Sequence, residues 1–453
     1  MRVFGSRGLA LGILSAIWVS LGGGVGAGAS SAWARARVLP TVEPGPNDQA
    51  TDLPGTRIQY DTLQAMEQAR LVSGMMVEAP WSGDYWPIYQ GVIARRYADP
   101  EFPGRDWKTG FLWAKREVGS GHCSVDQLSP AEKYDLLVGD PQYTLTRTMW
   151  SEGARYQDHD GKVEPWMGIC EGWAGAAIAV PRPRHAVTVI AADGKTRIPF
   201  TPDDVKALAS LLWSRGNVEK VLIGGRCNDK NPPRDAGGRP VNPDCQDTNP
   251  ATWHLSVVHR IGAAHQGLVM DANFDYEVWN HPIYSYIYEY YNPATGAETA
   301  SLAEAVVARQ AWAQDPYARF RSPRSVSIAG IKMTVDFVSE TAASDAKRDD
   351  PSRDFHRRAT YVYDLELDAT GRIVGGEWHG NVHPDFLWAA VAGKPARSQG
   401  DLYLDGTGDR SRWDGMNAVP VAWRQIAPAT SKLGQPLERV VSALVVLSRL
   451  GSN

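Results

Sequence analysis

Cys170 is the residue in this sequence whose surroundings best suit covalent chemistry. It follows a glycine-containing turn and opens a run of small residues, Ala174, Gly175, Ala176 and Ala177, that favours a closely packed helix. At the start of a helix, unpaired N–H groups and the helix dipole favour a thiolate over a thiol, and the thiolate is the nucleophilic form. The pattern therefore predicts a cysteine nucleophile at a helix N-terminus; the alternative is a buried structural cysteine.

A cysteine nucleophile needs a base and a group that orients the base. Residues 252–261 alternate and are rich in β-branched side chains, which predicts a strand that carries His254. A short connection leads to a second predicted strand, which ends at Asp271. Adjacent antiparallel strands would put the histidine beside the aspartate, which would orient the imidazole and stabilise the imidazolium. The sequence thus predicts a triad of Cys170, His254 and Asp271.

The identity of the base stays open between two histidines. His259 lies on the opposite face of the same predicted strand from His254, because side chains alternate along a strand. Only one of the two can face the cysteine, and His254 is preferred. His265, in the following turn, is less constrained.

Other candidate sites are weaker. The spacing of His379 and His383 could suit a metal, but the residues between them are typical of a strand end and a loop. Asp405 and Asp409 belong to a fragment of a calcium loop that lacks the full ligand series and the closing glutamate. The metal ligands, if any, stay unknown at this point, and no dinucleotide-binding, P-loop or serine-nucleophile motif is present.

The N-terminal residues predict export. Arg2 and Arg7 precede an apolar run of about 13 residues, and small-x-small cleavage sites follow it, so residues 1–36 are typical of a signal peptide. The run is shorter than the roughly 20 residues that span a bilayer, and the mature chain is predicted to have no membrane segment. The expected location is periplasmic or secreted. A net charge of -4 argues against nucleic acid as the main partner.

In an oxidising compartment, cysteines can also form disulfides. Cys227 and Cys245 bracket a polar, Pro- and Gly-rich loop and are predicted to form a disulfide. Cys123 and Cys170 remain, and the sequence does not say whether both are free. If they paired, Cys170 would be structural.

The segment after Asp271 resembles the elicitor peptide of the transglutaminase elicitor family, first known from oomycete plant pathogens and present in some bacteria. That peptide runs Val-Trp-Asn-Gln-Pro-Val in a segment that is exposed in those proteins. Val278, Trp279, Asn280 and Pro282 match it, and His281 replaces the glutamine. The likeness extends to the Cys170 segment, the aromatic turn at 81–87 and the helix start at 129–135.

This resemblance implies a calcium-stimulated protein-glutamine γ-glutamyltransferase with a papain-like core. Cys170 would attack the carboxamide of a glutamine side chain and release ammonia, and a lysine amine would resolve the thioester to an isopeptide bond. His254 would transfer protons and Asp271 would orient it. The implied partners are proteins with accessible glutamine and lysine side chains, with Ca²⁺ as a cofactor and no organic cofactor.

The resemblance also implies an oxyanion hole. Backbone N–H groups at the Cys170 turn would bind the oxyanion, joined by an indole N–H of Trp166 or Trp173. Trp253 would belong to the substrate groove. One departure is that Glu171 follows the cysteine, where papain-like proteins and animal transglutaminases often have tryptophan.

Two rival functions stay open. The same triad would suit a papain-like peptidase or a glutamine deamidase, because the outcome depends on whether an amine or water reaches the thioester. A non-catalytic secreted binding or elicitor protein is the rival of another class.

The expected fold is α+β, with a papain-like or transglutaminase-like core in which the cysteine begins a helix and the histidine and aspartate lie on adjacent antiparallel strands. A flexible lead-in or pro-segment spans 37–58, the catalytic region 59–321, and a β-rich C-terminal region with a terminal helix 322–453, as part of the same fold. The sequence predicts helices over 62–76, 131–137, 205–215 and 436–450, a hairpin over 186–200, and strands over 268–271, 325–339, 360–367 and 373–378.

Overall fold

The computed structural model describes residues 48–117, 124–236, 239–242, 245–272, 276–380 and 382–450. The predicted signal peptide, residues 37–47 of the lead-in and Cys123 lie outside the described residues. The α-helices of the described part are α1 (Leu63–Gln68), α2 (Trp107–Glu117), α3 (Pro130–Val138), α4 (Thr144–Asp160), α5 (Cys170–Ala179), α6 (Pro202–Arg215), α7 (Pro250–Val257), α8 (Leu302–Ala305), α9 (Gln399–Gly406), α10 (Val421–Ser431) and α11 (Glu438–Leu450).

The strands pair antiparallel throughout the described residues. They are β1 (Ser73–Met75), β2 (Val187–Ile190), β3 (Arg197–Phe200), β4 (Lys220–Gly224), β5 (Leu268–Asp271), β6 (Asn280–Tyr291), β7 (Glu298–Thr299), β8 (Val306–Ala308), β9 (Ser327–Ser339), β10 (Phe355–Leu367), β11 (Ile373–Trp378) and β12 (Phe386–Ala390).

One large sheet organises the molecule. Its strand order is β11-β10-β9-β6-β5-β12-β4, with β1 and β7 paired to β6 and β8 paired to β9; β2 and β3 form a separate hairpin. Strands from before and after residue 322 belong to the same sheet and are interleaved in it. β9 pairs with β6, and β12 pairs with β5. The chain is therefore a mixed α and β protein built on an antiparallel sheet.

Local sequence signals explain several helix starts. At α3 the Ser129 hydroxyl accepts from the Glu132 backbone N–H at 3.2 Å, and the Glu132 carboxylate accepts from the Ser129 N–H at 2.9 Å. Thr201 and Asp204 form the same reciprocal cap at α6. The predicted helices at these two positions, the β2–β3 hairpin and the terminal helix are confirmed, with small changes at their ends.

The strand prediction for residues 252–261 is wrong. Asn249 caps α7, Pro250 occupies its first turn, and π-helical backbone continues from Val258 to Ala263. Nearly every side chain of α7 is buried. A helix that is buried on all sides lacks the one-sided apolar stripe by which a surface helix is recognised. The apolar and polar residues of this segment happen to alternate, and that pattern predicted a strand.

The helix predicted over 62–76 is shorter than expected. It ends at Gln68, and Arg70 adopts φ 60°. That left-handed backbone stops a helix, and Ser73–Met75 then pairs with β6 as β1.

The sheet separates two parts of the buried core. On β5 the alternate residues Val269 and Met270 belong to different parts, as expected for side chains on opposite faces. The first part includes Cys170 of α5, and the second includes Trp253 of α7. The cysteine helix and the predicted histidine strand, which is in fact a helix, therefore pack on opposite faces of the sheet.

The predicted disulfide between Cys227 and Cys245 is confirmed. In the ranges that the structure describes, no helix combines the length and the apolar character needed to cross a membrane.

Replacing Cys227 and Cys245 together by serine is expected to lower the free energy of unfolding by about 3 kcal/mol, because it releases a loop closed across 18 positions. Urea unfolding followed by tryptophan fluorescence measures the change. Reduction of the wild-type protein should produce the same loss, and an unchanged urea midpoint would contradict the prediction.

Candidate active site

Cys170 is the first residue of α5, and the preceding Ile169 has non-helical backbone angles. The helix lies close to α6: a Cβ added to Gly172 would sit 2.2 Å from the carbonyl oxygen of Ser210. This close approach of two backbones requires glycine and fixes the start of α5. The predicted helix N-terminus at the cysteine is confirmed.

The thiol lies against the segment that leads into β6. Its Sγ is 3.6 Å from the carbonyl oxygen of Val278, and the Nδ2 of Asn280 donates to it at 3.4 Å. The Oδ1 of Asn280 accepts from the indole N–H of Trp388 at 2.7 Å, which fixes the orientation of the amide. Cys170 is 5% exposed, and within the described residues it is not part of a disulfide.

The buried thiol is protonated at neutral pH. Burial raises the pKa of Cys170 to about 12, the neighbouring charge of Glu171 adds to this, and the hydrogen bonds from Asn280 oppose it. The stabilisation of a thiolate expected at a helix N-terminus is thus smaller than the cost of removing the thiolate from water. Nucleophilic attack by this sulfur would therefore require a base to accept its proton.

The structure does not bring His254 to this thiol. His254 lies on α7, where its Nδ1 is 2.8 Å from the hydroxyl oxygen of Tyr363 and its ring is 4.9 Å from that of Tyr288. Burial, and then the charge of His259, lower its pKa to about 3. His254 is a neutral core residue on the face of the sheet opposite Cys170, which corrects the predicted triad.

His259, the predicted alternative base, is also engaged elsewhere. Its Nδ1 is 2.8 Å from the carbonyl oxygen of Leu255, and its Nε2 accepts from the backbone N–H groups of Gln59 and Tyr60 at 3.3 and 3.2 Å. His259 therefore fastens the N-terminal segment of the described chain to the π-helical turn. The exposed ring of His265 contacts the carbonyl oxygen of Met75 at 3.0 Å.

Asp271 is close to the thiol, but it acts on a different partner from the one predicted. It lies opposite Asn280 in the β5–β6 register, and its Oδ1 accepts from the backbone N–H of Trp279 at 3.1 Å. The carboxylate thereby fixes the turn that presents Asn280 to Cys170. Asp271 and Cys170 are brought together through Asn280, without His254.

His281 is the histidine that packs against the cysteine helix, and the sequence prediction of the base missed it. Its ring packs edge-on against Trp173, one turn after Cys170 on α5, with the centroids 6.4 Å apart. The Nε2 lies 3.4 Å from Oε1 of Glu340, and the Nδ1 is buried without a hydrogen-bond partner among the described residues. The Ser339 hydroxyl also lies 3.4 Å from Nε2. An imidazole with a carboxylate beside one nitrogen and no partner at the other has the arrangement of a general base.

Glu340 is ionised beside this ring. Burial alone would raise its pKa, but the hydrogen bond from His281, the histidine charge and the Ser339 hydroxyl hold the pKa of Glu340 below its ordinary value. The charge of Glu340 also raises the pKa of Cys170, so the carboxylate acts on the thiol as well. The available sequence signal was the replacement of the elicitor-segment glutamine by His281.

The comparisons with known proteins concern the family and the fold. The model of the family described as transglutaminase elicitor matches residues 56–401. The chain belongs to the transglutaminase elicitor family. The crystal structure of the GP42 transglutaminase from Phytophthora sojae is similar in fold, with a TM-score of 0.50 and 24% sequence identity over 72% of this chain and 86% of that one. Among curated proteins, none matches the chain.

In this member of the family, the elicitor-like segment forms the inner wall of the site. Val278, Asn280, His281 and Pro282 are buried, and only Trp279 of the matched residues is half-exposed, with its ring 5.4 Å from that of Tyr85. Val278 and Asn280 of this largely buried segment contact the thiol, which differs from the exposed segment that the resemblance implied.

The three predicted groove tryptophans have other roles in the described structure. The indole N–H of Trp173 donates to the Trp81 carbonyl at 3.3 Å, and that of Trp166 donates to the Glu164 carboxylate at 2.9 Å. Trp253 packs in the second part of the core, across the sheet. The donors that contact the sulfur are instead the side-chain amide and the backbone N–H of Asn280.

The predicted metal candidates are engaged by protein groups. The Nε2 of His379 lies 2.6 Å from Asp364, and His383 stacks on Trp378. Arg439 pairs with both Asp405 and Asp409. Among the described residues, no three His, Cys, Asp or Glu side chains converge in a way that could hold a metal ion, so they do not form a calcium site there.

Glu171→Gln is expected to lower the pKa of Cys170 by on the order of one unit, because it removes a negative charge that disfavours the thiolate. The Gln side chain keeps an acceptor for the Ser214 hydroxyl, which donates to Glu171 at 2.6 Å. The rate of iodoacetamide alkylation of the Cys170 peptide, followed by mass spectrometry from pH 6 to 10, measures the shift.

The alkylation profile of this variant should move to lower pH, so that it reacts faster than the wild type at a given neutral pH. Glu289→Gln, at an exposed position of β6, is the matched control and should leave the profile unchanged. Identical profiles for wild type and Glu171→Gln would show that Glu171 does not act on the thiol.

Proposed function

We propose that this member of the transglutaminase elicitor family is an exported protein-glutamine γ-glutamyltransferase, with Cys170 as nucleophile, His281 as base and Glu340 as the group that orients the base. The observation that carries the proposal is the environment of the His281 ring. One nitrogen lies beside an ionised carboxylate, and the other is buried with no partner in the described residues.

The neighbours of His281 support its role toward the thiol. Its ring packs against Trp173 of the same helix that begins with Cys170, and the charge of its acid partner Glu340 acts on the Cys170 thiol. Glu340 is fixed in turn by the Ser339 hydroxyl, which donates to its Oε2 at 2.6 Å. The carboxylate would hold the imidazole in one tautomer and stabilise the imidazolium.

The first half of the reaction forms a thioester. The Cys170 sulfur attacks the carboxamide carbon of a glutamine side chain while its proton passes to Nδ1 of His281. The oxyanion is stabilised by the first-turn N–H groups of α5 and the Asn280 amide, which Trp388 holds in place. The C–N bond then breaks, and the imidazolium returns the proton to the departing ammonia.

The second half transfers the acyl group to an amine. A lysine side chain attacks the thioester carbon, His281 accepts a proton from the attacking nitrogen, and the C–S bond breaks. The proton then returns to the sulfur, which leaves an isopeptide bond and the free thiol. Water in place of the amine gives glutamate, so exclusion of water from the site favours cross-linking over deamidation.

The proposed substrates are proteins with accessible glutamine and lysine side chains, met outside the cytoplasm after export. Only the family resemblance supports stimulation by calcium, and none of the proposed steps uses a metal ion. The absence of nucleic acid among the partners also stays a prediction from the charge balance.

The wild-type protein is expected to incorporate a dansylated alkyl amine into casein, and Cys170→Ala is expected to abolish incorporation. The variant should keep its fold, because the change removes little volume. Fluorescence of the labelled casein measures incorporation, with and without added calcium, and circular dichroism checks the fold.

Each other outcome of this assay contradicts the proposal in a different way. Release of ammonia without labelling indicates a deamidase, and shortened casein indicates a peptidase. No reaction under either condition indicates a non-catalytic binding protein. Labelling that persists in Cys170→Ala would exclude Cys170 as the nucleophile.

His281→Asn is expected to lower kcat by about 100-fold or more, because a positioned general base contributes roughly this factor. The pH dependence of the residual rate should lose the limb that reports the base. His356→Asn, on the exposed surface near Tyr284, is the matched control and should keep wild-type kcat.

His254→Asn separates the two candidate bases. A folded variant should retain most of its activity, because His254 contacts Tyr363 on the other face of the sheet. Loss of activity in folded His254→Asn together with near wild-type activity in His281→Asn would contradict the assignment.

A further inference from the structure

A cavity of about 520 Å³ lies against the later turns of the cysteine helix, lined there by Gly175, Ile178 and Ala179. Its walls come from α5, α6, α11, β5 and β12, and much of the lining is apolar: Ile178, Leu212, Val269, Trp388, Val441 and Val445. Its volume falls within the roughly 300–1,000 Å³ typical of small-molecule sites. Nothing in the proposed transfer reaction uses this space.

Part of the cavity lining is a buried cation, the guanidinium of Arg260. Arg260 lines the cavity and is 3% exposed. It donates to the backbone carbonyl oxygens of Gly267, at 3.2 and 3.4 Å, and of Pro54, and to the Thr56 hydroxyl at 3.4 Å. Among the described residues, no carboxylate forms an ion pair with it.

A buried guanidinium without a counter-ion destabilises the folded protein, because removing the charge from water costs free energy that an opposite charge would offset. Burial lowers the pKa of Arg260 to about 10 with no opposing contribution from a nearby acid. Within the described residues, the polar part of the lining therefore lacks a counter-ion for Arg260.

We propose that this cavity binds an amphipathic monocarboxylic acid, with its alkyl chain against α5, α6 and α11 and its carboxylate at Arg260. The apolar walls suit an alkyl chain, since its burial removes apolar surface from water. The carboxylate supplies the missing counter-ion through charge-assisted hydrogen bonds. A neutral alcohol of the same chain length satisfies the walls but leaves the guanidinium without a partner.

Isothermal titration of the full folded protein with decanoate and with decan-1-ol tests the proposal. Decanoate is expected to bind at one site per chain, about 10-fold or more tighter than decan-1-ol, which lacks a charged hydrogen-bond partner for Arg260. Binding is read directly as heat, so the result does not depend on transferase activity. Failure of the proposed function and failure of this site are therefore distinguishable.

Two kinds of variant distinguish the contribution of the apolar walls to binding from the contribution of the Arg260 charge. Val445→Trp fills the cavity from α11 and should weaken both ligands by about 10-fold or more. Arg260→Gln should remove the preference for decanoate, and Arg260→Lys should keep it in part. Ile287→Trp, at an exposed position of β6 outside the cavity, is the control and should change neither affinity.

Thermal unfolding first establishes that each variant is folded, and Val445→Trp keeps the test valid if Arg260→Gln does not fold. The proposal is overturned by absence of decanoate binding to the wild type, by equal affinity for decanoate and decan-1-ol, or by decanoate binding that Val445→Trp leaves unchanged.

Discussion

The pairing of β5 with β6 is the constraint on which the proposed active site depends. It sets Asp271 opposite Asn280, and the Asp271 carboxylate then holds the backbone of Trp279. The amide of Asn280 consequently meets the Cys170 sulfur, with Trp388 of the neighbouring β12 fixing its other end. A slip of one residue in this register would turn every side chain to the opposite face, and Asn280 would then point into the core that contains α7.

The carboxylate side of the site depends on a turn distant in sequence. The Ser82 hydroxyl donates to the carbonyl oxygen of Ser339 at 2.9 Å, and the Thr341 N–H donates to that of Gly83 at 2.9 Å. These bonds hold the backbone on both sides of Glu340 at the end of β9. The aromatic turn over residues 81–87 thus does more than bury rings, because it fixes the carboxylate that contacts His281.

Local signals in the sequence were enough to predict much of the fold and part of the site. The small residues after Cys170 and the reciprocal cap at Ser129 act within a few positions, so a pattern can identify them. The choice of base could not be made this way, since it depends on which face of the sheet α7 covers. His254 alternates like a strand residue, but it is buried on the far face, whereas His281 is placed by pairing with β5 and by a carboxylate far along the chain.

The burial of Cys170 has a consequence for survival in an oxidising compartment. Peroxides and disulfides react with thiolates, and they need access to the sulfur. A neutral sulfur that is 5% exposed and covered by the Val278 carbonyl reacts slowly with both. The same desolvation that makes ionisation expensive therefore protects this thiol from overoxidation and from exchange with the Cys227–Cys245 bridge, which the proposed nucleophile would need outside the cytoplasm.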